Sequence, residues 1–175
     1  HELPQTLPYL DAYQRTFGRI KLMHRSFRNA EDLAYYIGRI PKDARAFIYI
    51  SSHASAGALY PTGVKDKIPT EKVLEALKQA KQDAVAFLHF GCCEFVRGDD
   101  VGRRDHLGKL LDSVNGGQCV SGYTSVVDWL QSTLLDIVLI DEVYVPWFVA
   151  PNKIAAAETR AMAFVQNYEQ LQRVL

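Results

Sequence analysis

A chain of 175 residues, 48% hydrophobic and 23% charged, is long enough to bury a core and has the composition of an ordinary globular protein. Twenty basic residues balance twenty acidic ones, so no net field draws it to nucleic acid or an anionic membrane, and no apolar run reaches the roughly 18–20 residues that cross a bilayer. Three cysteines, two of them adjacent, make a poor disulfide framework and favour a reducing, cytoplasmic setting.

In chain order, residues 8–16 (PYLDAYQRT) predict a short helix and 18–24 (GRIKLMH) a strand. Asn29 suits the N-cap of a helix AEDLAYYIGRI, with Asp32 at its third position, and Pro41 ends it. ARAFIYISS (44–52) is β-branched and aromatic, too short and too apolar for a surface helix, and predicts a buried strand. Pro69 and Thr70 open the helix TEKVLEALKQAK, whose Val73, Leu74, Leu77 and Ala80 share one face. DAVAFLHF (83–90) predicts a second buried strand. RGDDVGRRDH then has the mixed charge of a solvated loop, well placed to be a mobile specificity loop, before an amphipathic helix RDHLGKLLDSV (104–114). Asn115-Gly116-Gly117 stops that helix, and QCVSGYTS (118–125) supplies another strand. VVDWLQSTLLDIVLIDEV (126–143) is apolar almost all round, which predicts a largely buried helix. Beyond Pro146 and Pro151, IAAAETRAMAFVQNYEQLQ predicts a last one.

Strands separated by helices imply βαβ crossovers, hence a single three-layer α/β domain with a mostly parallel sheet and helices on both faces. In such sheets the reaction site lies beyond the carboxyl ends of the strands. The strand 44–52 runs out into His53, and 83–90 runs out into Gly91, Cys92 and Cys93. A thiol needs a base to become a nucleophile, and an imidazole at the next strand end is placed to supply one. Backbone N–H groups at strand ends are free to hold a developing oxyanion. His89, between Leu88 and Phe90, reads as a satisfied core residue, and so does Cys119 in its strand. Adjacent cysteines chelate a metal awkwardly, so a zinc site from His53, His89, Cys92 and Cys93 is disfavoured, and without a glycine-rich phosphate motif no nucleotide cofactor is expected. Asp128 has two readings: the lining of a pocket for a basic substrate side chain, or a first-turn acid that favours the helix dipole.

These residues also carry a resemblance. "YISSHASAG", "HFGCCEF" and "CVSGYTSVVDWLQSTLLDIVL" resemble, in order and context, the caspase-like cysteine peptidases, most closely their bacterial CHAT-type branch, over roughly residues 8–143. The resemblance implies a caspase-like topology and a cysteine endopeptidase without metal or cofactor. Cys93, followed by Glu94, takes the nucleophile position, His53 the general base, and the backbone amides near Ala54 and Cys93 the oxyanion hole. Ala54 stands where the family has a glycine. Cys92 falls where the family has a small residue, which makes it a buried filler. The family's opening strand has no counterpart upstream of Pro8, so the domain is expected to lack it. Peptide or protein substrates are implied, with neither nucleic acid nor membrane as partner, and a regulatory protein partner fits relatives held inactive in bacterial stress or antiphage responses. The alternative is an inactive scaffold of the same fold, used for binding or signalling.

Overall fold

The computed structural model describes residues 6–18, 20–96, 99–117 and 119–145. In chain order they form α1 (Leu7–Phe17), α2 (Ala30–Gly38), β1 (Ala46–Ile50), β2 (His53–Ser55), β3 (Ala58–Tyr60), β4 (Ile68–Pro69), α3 (Thr70–Leu77), β5 (Val85–Phe90), α4 (Asp100–Ser113), β6 (Cys119–Gly122) and α5 (Trp129–Leu139), which runs on into a π-helical turn, Ile140–Tyr144. This is a mixed α/β fold with a three-stranded parallel sheet and a small antiparallel one. The described residues divide into two compact units, one within 24–128 and the other joining those of 6–23 to 129–145.

The first unit is built on the sheet β1-β5-β6, with β5 between two parallel neighbours. All six residues of β5 are buried, as a central strand of near-continuous apolar sequence requires. Ile48, Leu88 and Val120 share one register row and Tyr49, His89 and Ser121 the next, so alternate rows face opposite sides of the sheet. The first side carries the core. Ile50, Leu88 and Phe90 gather there with Leu33 and Ile37 of α2, Val73, Ala76 and Leu77 of α3, and Leu110 of α4. The predicted apolar face of α3 is the buried one, with Val73 and Leu77 fully covered.

Two helix starts, those of α2 and α4, follow side-chain caps. Asn29 Oδ1 accepts from Asp32 N–H at 2.8 Å, while the Asp32 carboxylate accepts from Arg28 N–H at 2.9 Å. Asp99 Oδ1 accepts from Gly102 N–H at 2.7 Å, so α4 starts at Asp100 and takes in most of the run expected to be a solvated loop. That cap outweighs the charge pattern, because it satisfies a helix N–H that a loop would leave to water.

Two further expectations are corrected. The described part of 18–24 contains no strand: Gly18 closes α1 in the left-handed region at φ 61, and Leu22 N–H donates to the Gln14 side chain, which ties that backbone to α1 rather than to a neighbouring strand. The helix expected over 126–143 begins at Trp129, and it is not buried all round. Leu130, Leu134 and Val138 are exposed by 44%, 53% and 40%, while Thr133 and Asp136 are buried. The inward polar side has partners within its own unit, Thr6 for Thr133 and Tyr13 for Asp141, so hydrogen bonding decides which side turns in. The helix expected at 154–172 lies outside the described residues.

Candidate active site at the strand ends

Ile50 and Phe90 are register partners at the carboxyl ends of β1 and β5. His53 follows the first by three residues and Cys93 follows the second by three. The adjacency expected of these two strands is therefore present, and both residues lie past the same edge of the sheet.

The cysteine side is rigidly framed. Gly91 N–H donates to Ile50 O at 3.0 Å, which is the last tie between the two strands. The Tyr49 phenol lies over Gly91 so closely that a Cβ there would overlap it. Beyond the glycine the chain turns. Glu94 takes a left-handed φ of 51, its N–H donates to Ser125 O at 3.2 Å, and Val96 N–H donates to Tyr123 O at 3.3 Å. The segment after the cysteines is thus strapped to the segment leaving β6.

That turn separates the two cysteines. Cys92 is 2% exposed and sits in the apolar core, as a small filler would. Cys93 is half-buried, and its Sγ donates to Val127 O at 3.8 Å. The strand no longer continues here, yet the division into one inward and one outward thiol persists. Cys119 is half-buried on β6, and burial pushes its thiol pKa up.

On the histidine side, His53 begins β2 and is exposed. Ser52, just before it, carries a buried hydroxyl with no hydrogen-bond partner among the described residues. The β2–β3 hairpin turns on Ala56 and Gly57, with φ 49 and 76, the two positive values a two-residue hairpin of this twist needs. In such a hairpin Ser55 and Ala58 form the hydrogen-bonded pair, so Ala54 and Leu59 form the non-bonded one and Ala54 N–H points away from β3. Ala54 itself needs no positive φ, so the family's glycine is not required there for backbone reasons. Cys93 N–H likewise donates to no protein acceptor among the described residues. Among the described residues, neither of the two amides expected to act on an oxyanion is spent on a protein acceptor.

No hydrogen bond joins His53 to Cys93 among the described residues. Asp128 is exposed and immediately precedes α5, so it lies outside that helix's first turn. His89 is 3% exposed, with Nδ1 2.8 Å from Ser121 Oγ and its ring stacked on Tyr49 at 5.5 Å, a satisfied core histidine. Among the described residues no group of three or more His, Cys, Asp or Glu is placed to hold a metal ion, and no helix is long and apolar enough to cross a membrane.

Sequence reasoning missed two groups near this edge. One is the Tyr49 phenol over Gly91; its signal was an aromatic on the strand beside a glycine at the next strand's end. The other is His106, where the charged run 97–106 overlaps the helix expected over 104–114. Its ring packs against Phe95, two residues after Cys93, at 5.4 Å between centroids. Burial, more than the nearby Lys109, holds its pKa below 6.5. No family model, curated protein or solved structure matches this chain.

Proposed function

We propose that this chain is a cysteine endopeptidase of caspase-like topology, a three-layer α/β sandwich in which Cys93 and His53 form the working dyad. The observation that carries this reading is the shared offset: a cysteine and a histidine each three residues beyond the registered pair Ile50–Phe90. The uncommitted N–H groups of Ala54 and Cys93 add to it. In the reaction, Cys93 Sγ attacks the peptide carbonyl carbon while its proton passes to the His53 imidazole. The carbonyl oxygen becomes negative and is held by the two amides. The C–N bond breaks as His53 returns the proton to the leaving amine. Water, deprotonated by His53, then releases the acyl group and restores the thiol. No cofactor takes part. The substrate is a peptide or protein, its basic side chain is met by Asp128, and a protein partner brings the exposed His53 to the thiol.

A second reading is favoured by one observation. Cys93 is engaged with the Val127 carbonyl and not with His53, as in a scaffold that binds without cutting. Labelling with iodoacetamide separates the two. The peptidase reading expects Cys93 to react first, its rate to rise with the fraction of neutral imidazole, and the advantage to vanish in His53→Ala. Cys92 is shielded by the core, and Cys119 is slowed by its raised pKa. Equal, slow labelling of all three thiols, or a rate indifferent to His53→Ala, is the scaffold's result.

A further inference from the structure

The segment that leaves β6 turns three carbonyls toward the chain that carries Cys93. Tyr123 O accepts from Val96 N–H at 3.3 Å, Ser125 O from Glu94 N–H at 3.2 Å, and Val127 O from Cys93 Sγ at 3.8 Å. The acceptors are spaced by two residues, as carbonyls on one side of an extended chain are. Their donors descend along the chain as the acceptors ascend, so the two segments lie antiparallel. Residues 123–127 thus form a strap along the Cys93 turn, and its last tie is to the thiol itself. The strap is anchored at its start, where the Tyr123 ring meets His89 edge-on at 5.8 Å between centroids. Beyond Tyr123 it is lightly held. Thr124, Ser125 and Val126 are exposed, and 124–127 make no other hydrogen bond or ion pair among the described residues. Little apolar burial and few bonds are the marks of a segment that opens locally.

We propose that 124–127 is an inhibitory strap, which keeps Cys93 at rest until a protein partner lifts it. This regulation rests on the reading of Cys93 as the nucleophile. An attacking thiol must give its proton to a base. An amide oxygen accepts a hydrogen bond from that thiol but is too weak a base to take the proton. While Sγ donates to Val127 O, its hydrogen is not presented to His53. A substrate must also bring its own carbonyl to the same sulfur, where the Val127 carbonyl already sits. Lifting the strap removes both obstacles at once. It needs no change in β5 or in the core beneath Cys92, because the Tyr123 anchor and the strand bonds stay in place.

The test lengthens the strap and leaves Cys93 and His53 untouched. Two glycines are inserted between Val126 and Val127, beside an exposed side chain, and iodoacetamide labelling of Cys93 is timed against Cys119 in the same chain. Labelling of Cys93 should quicken by roughly two- to tenfold, the range of one net hydrogen bond released. A second measurement uses the unaltered chain, before and after carbamidomethylation of Cys93. The added group displaces the Val127 carbonyl, so the Glu94 N–H should lose hydrogen-exchange protection while the amides of β5 keep theirs. The inference is overturned by an unchanged or slower rate in the lengthened chain, or by equal protection of the Glu94 N–H before and after labelling. Both measurements are repeated in His53→Ala. A dyad that fails shows there as a rate indifferent to the histidine, and a strap that fails shows as a rate indifferent to the insertion.

Discussion

Gly91 has no positive φ to justify a glycine; what it needs is room. A methyl group at that position would meet the Tyr49 phenol, and the aromatic side chain is itself fixed in the register row of His89 and Ser121. Gly91→Ala should therefore cost about 1–3 kcal/mol, the range for overfilling a packed site. The urea midpoint would fall, and Cys92, now shielded, would label faster as the turn is pushed off the core. An unchanged midpoint would mean that Tyr49 moves aside freely. His106 gives a second prediction. Its imidazole titrates at 6.5 in the unfolded chain and lower when folded, so between those two values the unfolded state holds more protons. Stability from this group is complete above 6.5 and is lost as the pH falls through the folded value. The charges of Lys109, Asp105 and Glu71 act on the ring, but burial is the largest cause. His106→Gln should flatten the fall of the urea midpoint below pH 6.5, and an identical slope in both proteins would remove His106 as its source.

At the level of elements, two helix starts, those of α2 and α4, trace to a capping side chain. Asn29 was legible because a helical apolar pattern follows it at once. Asp99 was not, because its helix opens with charged residues and glycine and becomes amphipathic only later. Replacing Asp99 by alanine removes the bond to Gly102 N–H and should cost about 0.5–2 kcal/mol. Hydrogen exchange would show that loss first in the opening turn of α4. Equal protection there in both proteins would mean that the helix is held from its far end, by Leu110 in the core. The exposed stripe Leu130, Leu134 and Val138 on α5 teaches the converse lesson. Hydropathy gives a helix the option of burying any face, and the buried face is the one whose polar groups have partners.

At the scale of the whole molecule, stability of the first unit rests on the row of large side chains running from β5 into the turn beyond it. Phe90 and Phe95 are both fully covered and their rings stack at 4.2 Å. Phe90→Ala should cost about 3–5 kcal/mol, the range for emptying an aromatic site. Val101→Ala, at a position 77% exposed, should stay within about 0.5 kcal/mol. Urea unfolding of the two variants makes the comparison, and similar losses would mean that the sheet is not the stabilising centre. The same row holds the Cys93 turn to the core, so a core defect should also blunt selective labelling of that thiol.

The sequence by itself determined the alternation of β1, α3, β5, α4 and β6 and the buried nature of β5. Those follow from local periodicity and from short apolar runs, which are properties of a few neighbouring residues. It also put His53 and Cys93 at strand ends. Only the tertiary structure decided that those strands are adjacent and in register at Ile50–Phe90, because strand pairing joins residues 40 positions apart. It decided as well that 18–24 is tied to α1 and not to a sheet, and that one face of α5 stays exposed. Each of these depends on which partner is within reach in space, and no pattern along the chain encodes that.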